Sequence, residues 1–227
     1  MKRTCGTLAI ILLAATSWAA DPSKHKTKIA TVELPKELAD PVRALLSDQA
    51  IQVLDDQGKV YAEVWFRKEL PVKATSDDFK KGIAYNKVEE GTIVGALRLS
   101  QAWQSFRKQN VKPGVYTLRL GIQPMDGDHM GSAPFNEFLL LCPAADDKKT
   151  AILKHKEVTE LSGKALPGGN HPVVLLMFPN PKPEPMPALV NKGGGIWVLN
   201  TKADAAAGTD KGVLGVGLVL FGVTTAE

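Results

Sequence analysis

The octet Val60-Tyr61-Ala62-Glu63-Val64-Trp65-Phe66-Arg67 decides the fold class. Val60, Ala62, Val64 and Phe66 share one parity; Tyr61, Glu63, Trp65 and Arg67 share the other. Successive side chains of a strand point to opposite faces, so the alternation predicts a strand with one buried face. Just before it, Asp55-Asp56-Gln57-Gly58 is turn chemistry, and Ile51 to Leu54 is an apolar run. The three together predict a hairpin. The opposite face of the second arm carries Trp65 and Tyr61. Unless Trp103 or a loop covers it, that face offers rings that could stack on a sugar or anchor a protein of the cell envelope.

Working outward, the same period recurs. Thr27 to Leu34 is a first strand, and Pro35 to Ser47 a short helix or turn with Leu38, Val42, Leu45 and Leu46 on one side. Thr92 to Leu99 alternates. Gln101 to Asn110, with Trp103 and Phe106 three apart, reads as a helical turn. After the turn Lys112-Pro113-Gly114, Val115 to Ile122 is predicted to place Tyr116, Leu118, Leu120 and Ile122 inward and Thr117 and Arg119 outward. Phe135 to Cys142, Val173 to Phe178, Ile196 to Asn200 and Val213 to Val223 are further strands. Asn180 to Pro187, with four prolines, and Asp204 to Gly212 are loops. Strands follow one another without intervening helices. That predicts one all-β domain over 21–227, an antiparallel β-sandwich of the immunoglobulin-like or cupredoxin-like kind with one or two short helices. The 20 glycines and 15 prolines in 227 residues suit such a turn-rich chain.

Met1 to Ala20 stands apart. Lys2 and Arg3 precede the apolar run Leu8 to Ala15, and Ser17-Trp18-Ala19-Ala20 ends in small residues. This is the pattern of a secretory signal peptide, so a secreted or periplasmic location is expected. Its removal takes two of the 28 basic side chains and none of the 24 acidic ones, lowering the net charge from +4 to +2. So small an excess, without a concentrated basic stripe, argues against a nucleic-acid partner. Gly212 to Val223 is apolar but short and holds four glycines, so no membrane-spanning segment is expected after the leader. Cys5 leaves with the leader and Cys142 alone remains, which excludes an intramolecular disulfide.

The densest chemistry lies in Met125-Asp126-Gly127-Asp128-His129-Met130-Gly131, between two good strands. Two carboxylates, an imidazole and two thioethers fall within six residues. Loops on a rigid sheet commonly carry function. Read for calcium, Asp126, Asp128, Gly131 and Glu137 fall at positions 1, 3, 6 and 12 of an EF-hand loop, but Met130 and Pro134 replace oxygen ligands at 5 and 9. Read for copper(I), Met125, His129, Met130, Cys142, His171 and Met177 are the soft ligands available. A third reading is hydrolysis by Asp126, Asp128 and His129, without a recognisable nucleophile: Ser132 and Ser162 lack a G-x-S-x-G context, and no H-E-x-x-H occurs. The plain alternative is a turn in which Asp126 and Asp128 accept local backbone N–H groups.

Two resemblances bear on these residues. His129-Met130, then Cys142, His171 and Met177, loosely resembles the periplasmic copper chaperones with a cupredoxin-like sandwich, although the spacings differ and cysteine stands where those have methionine. Pro113-Gly114-Val115-Tyr116-Thr117-Leu118 is similar to a Pro-Ala-Gly-x-Tyr-x-Leu stretch in a family of secreted bacterial β-rich domains of unknown function. That resemblance implies an exported β-rich fold and supplies no site residues. The function expected from the sequence is a non-catalytic binding module, with a metal held by Asp126, Asp128, His129 and Met130, and with Met125, Trp65 and Tyr61 as further binding residues. The rival is a structural or protein-interaction domain of the envelope with no small ligand.

Overall fold

A computed structural model describes residues 21–123, 135–169 and 171–224. The first hairpin forms as its turn chemistry dictates. Asp55 Oδ1 accepts the N–H groups of Gln57 (2.9 Å) and Lys59 (2.8 Å), and Gly58 supplies the left-handed residue at φ 78°. The turn joins β2 (Leu46–Leu54) to β3 (Val60–Arg67). Before them come β1 (Lys26–Thr31) and α1 (Asp40–Leu45); after them come β4 (Leu70–Pro71), α2 (Ser76–Lys81) and β5 (Ile93–Leu99). A small separate ribbon, β6 (Trp103–Gln104) with β7 (Asn110–Val111), precedes β8 (Gly114–Ile122) and β9 (Glu137–Pro143). The chain continues through α3 (His155–Gly163), β10 (Val174–Pro179), β11 (Ala188–Asn191), β12 (Trp197–Ala207) and β13 (Asp210–Phe221).

Ten strands lie in one curled path, β1-β2-β3-β5-β8-β9-β10-β13-β12-β11, and β4 runs parallel beside β12. Every neighbouring pair along the path is antiparallel. The fold is thus mostly β as expected, but the strands do not divide into two separate sheets. The reason is β10. Its first half, Val174–Leu176, pairs with β9, and its second half, Met177–Pro179, pairs with β13, so one strand turns the corner between the halves. The curl brings the two edge strands near each other, where Thr27 Oγ1 donates to Pro187 O at 2.6 Å. Among the described residues three α-helices form instead of one or two, and none is long and apolar enough to cross a membrane.

The main core lies inside the curl. Val64, Leu97, Leu118, Leu139, Leu175, Leu199 and Leu218, from seven different strands, are each 0% exposed. Two outer faces are also covered. Leu38 and Val42 pack with Leu46 over Ala50, Trp65 and Ala96 of β2, β3 and β5; Val158 and Leu161 of α3 cover Leu140, Cys142 and Val174. A further cover, the segment from Asp147 to Ala151, binds Thr117 and Arg119, so these residues, expected outward towards solvent, are both 0% exposed.

Other expectations are corrected locally. The segment expected as a helical turn over 101–110 holds the β6–β7 ribbon, with Trp103 Nε1 donating to Leu220 O at 2.8 Å. The segment expected as a loop over 204–212 is the end of a hairpin whose register runs to Ala207↔Asp210. In that hairpin Gly215 lies against the turn after β10: a Cβ there would sit 1.7 Å from Asn180 O. Asn180 is anchored in turn, its Nδ2 donating to Thr201 O at 3.0 Å. Gly215→Ala is therefore expected to destabilise by about 1–3 kcal/mol, the usual cost of overpacking. An unchanged urea midpoint would show that Asn180 does not press on β13.

Candidate functional site

β8 and β9 pair as far as Ile122↔Glu137, and Gln123 N–H donates to Asn136 O at 2.8 Å. The connection between them therefore springs from a closed antiparallel ladder. Met125, Asp126, Asp128, His129 and Met130 lie outside the described residues. The root of their connection is described. On the outer side, Glu90 Oε1 accepts the Ile122 N–H at 3.2 Å and meets His155 Nδ1 at 2.7 Å. His155 is the first residue of α3, and its side chain is 49% exposed. A polar contact this open to water contributes little to stability, and the imidazole stays accessible.

On the inner side Glu137 lines a cleft of about 180 Å³ with Tyr85, Asn86 and Asn180. The Tyr85 hydroxyl is already committed. It donates to Phe178 O at 2.7 Å and accepts the Gly217 N–H at 3.0 Å. Burial holds that phenol protonated far above its ordinary range. Tyr85 ties β10 to β13 and is not a proton donor for chemistry. Among the described residues no three of His, Cys, Asp and Glu converge as a metal site.

Of the remaining soft ligands His171 is exposed, and the two sulfur groups are buried in different clusters. Cys142 packs under α3, while Met177 lies in the core inside the curl. Burial, with the Asp147 charge second, pushes the Cys142 thiol well up, so it is an inert space-filling group at neutral pH. Ser162 is buried and wholly engaged with backbone: its Oγ donates to Leu141 O at 2.8 Å and accepts the Val173 N–H at 2.9 Å. It patches a gap between β9 and β10 and is not a nucleophile.

Trp65 and Tyr61 are not on an exposed face. Trp65 is 0% exposed because the segment around α1 closes over it, and its cross-strand neighbours Ala50 and Ala96 are small enough to admit the indole. The cover is not Trp103 but Leu38 of the irregular segment before α1, together with Val42 of α1 and Leu46. Tyr61 packs against His25 and Phe221 at ring separations of 5.3 and 4.9 Å, and burial raises its phenol to about 12.

Sequence reasoning missed two buried polar groups. Arg119 and Asp147 form a pair 0% and 1% exposed. Arg119 Nε and Nη2 donate to the two Asp147 oxygens at 2.7 and 2.8 Å, and Nη1 donates to Gly91 O and Ala151 O. Nη2 also donates to Lys149 O, and Thr117 Oγ1 donates to Asp147. Elsewhere Glu63 binds Arg98 and accepts from Gln52 Nε2 at 2.7 Å. Both groups satisfy their charges internally, as structural networks do. No protein-family model, curated protein or solved structure matches the chain.

Proposed function

We propose that the protein is an exported, non-catalytic binding module that holds a metal ion, calcium or copper, through the 125–131 connection. The observation that supports this most is the root of that connection. The Ile122↔Glu137 pairing ends it on a rigid ladder, and Glu90 and His155 stand accessible beside it. Asp126 and Asp128 supply hard oxygens suited to calcium; Met125, His129 and Met130 supply soft donors suited to copper(I). The leader read in Met1 to Ala20 supports export to the periplasm or beyond. The two halves of the curled sheet face each other across the main core, and we read that cross-section as sandwich-like.

Thermal unfolding with calcium, zinc or copper(I) tests the metal. A ligand at a hundredfold excess over its dissociation constant stabilises by about 2.7 kcal/mol. One ion is expected to raise Tm in the wild type. Asp126→Ala should remove a calcium response, and His129→Ala a copper response. No response to any ion would refute metal binding and favour an envelope interaction domain.

A further inference from the structure

A second site lies where the curl fails to close. The edge strands β1 and β11 are joined by the Thr27 to Pro187 hydrogen bond, and beside this seam opens a cleft of about 250 Å³. Its apolar floor includes Ile29, Ile51, Phe66 and Ala203. Ile29 is the informative member. The register Ile29↔Ile51↔Val64 places it in a row that belongs to the core, yet it is 42% exposed while Ile51 is 6% and Val64 0%. An interior row has been left uncovered at its end.

The charges at the rim are uneven in burial. Lys202 and Asp204 are exposed, of opposite sign, and offset each other in water. Arg67 follows Phe66 and is half-buried, its Nε donating to Glu69 O at 3.2 Å. Glu69 itself is paired with Lys211 at 2.7 Å. Among the described residues no carboxylate pairs with Arg67. Burial lowers its pKa, as for a half-buried cation without a carboxylate partner. A half-buried guanidinium without a carboxylate partner is a receptor for a carboxylate, which it binds with charge-assisted hydrogen bonds.

We infer that the cleft binds an aliphatic monocarboxylate, its chain on the Ile29–Phe66 floor and its carboxylate on the Arg67 guanidinium. The volume is below the roughly 300–1,000 Å³ of pockets for drug-sized ligands, so the chain is of medium length. Each methylene buried contributes favourably, and the carboxylate sets the orientation. This site shares no residue with the 125–131 connection and does not depend on a metal there.

Isothermal titration of the purified protein with octanoate, 1-octanol and octylamine tests it. Octanoate should bind at least tenfold more tightly than octanol, and octylamine more weakly than either. Arg67→Met should abolish the preference for octanoate over octanol while octanol binding persists, which shows that the variant is folded. Ile29→Asp, at an exposed position, should weaken octanoate and octanol alike. Equal binding of octanoate and octylamine, or an unchanged octanoate preference in Arg67→Met, would overturn the proposal. Tighter binding of an apolar tetrapeptide with a free C-terminus than of octanoate would overturn the fatty-chain assignment.

Discussion

Arg119→Met is expected to destabilise the protein by about 3–5 kcal/mol, read as a lower urea midpoint at unchanged slope. Methionine keeps much of the stem but leaves the Asp147 carboxylate 1% exposed, with the Thr117 hydroxyl as its remaining side-chain donor. A lone buried carboxylate is costly, whereas a buried pair replaced as a unit by apolar groups is often close to neutral. Here the usual rescue should be incomplete. Arg119 also donates to the carbonyls of Gly91, Lys149 and Ala151, and Arg119→Met/Asp147→Leu would leave all three without that donor. Gly91 O keeps the Leu153 N–H at 3.5 Å, but each carbonyl left with no donor costs about 1–3 kcal/mol unless water reaches it. The double variant is therefore expected to recover only part of the loss. Full recovery would mean that the carbonyl contacts carry no energy; a single-variant loss under about 1 kcal/mol would mean that the ion pair carries none either.

The same residue links the core to the proposed metal rim. Its partners Lys149 and Ala151 lie in the segment that enters α3, whose first residue is His155. Lys148 and Lys149 are already exposed, so releasing the backbone that carries them should make the segment a better trypsin substrate and loosen the His155 contact with Glu90. Faster cleavage there in Arg119→Met, at denaturant concentrations where the protein remains folded, is the expected signature.

What could be read from the sequence follows the reach of each signal. The Val60–Arg67 alternation and the Asp55–Gly58 turn are local, and both describe the observed hairpin. The parity of Thr117 and Arg119 was also correct, since they do share a face opposite Leu118 and Leu120. What parity cannot supply is the cover, because the segment over Arg119 comes 28 residues later at Asp147. Ala203, Ala205 and Ala206 concealed the end of β12, since alanine has little strand preference, although Lys202 and Asp204 alternate with the first two. The α3 helix was missed because its apolar face is short: Val158 and Leu161 on one side of a nine-residue helix. For the 125–131 connection the sequence supplied the ligand types and the structure supplies the root, Glu90 and His155. Arg67 in its cleft carries no sequence motif; only the failure of β1 and β11 to pair as strands reveals it.

Trp65→Ala should show the other large effect, a loss of about 3–5 kcal/mol. The indole is among the largest fully buried side chains, and three features bear on its replacement. Ala50 and Ala96 flank it across the strands, so neither cross-strand neighbour is long enough to fill the void. Leu38, Val42 and Leu46 rest on it, so the α1 lid loses its support and should exchange its amide hydrogens faster. Arg98 lies over the ring at 5.5 Å and is tied to Glu63, so it cannot swing into the space without breaking that pair. Trp65→Phe should behave differently. The indole Nε1 has no hydrogen-bond partner among the described residues, and phenylalanine removes that unsatisfied N–H together with part of the volume. Burying an unpaired polar group costs about 1–3 kcal/mol, comparable to the packing lost, so Trp65→Phe is expected within about 1 kcal/mol of wild type. A ring that served an outside partner would give the reverse pattern, with both variants stable and binding lost. Trp65→Ala at wild-type stability would therefore return the ring to the surface and remove α1 as its lid.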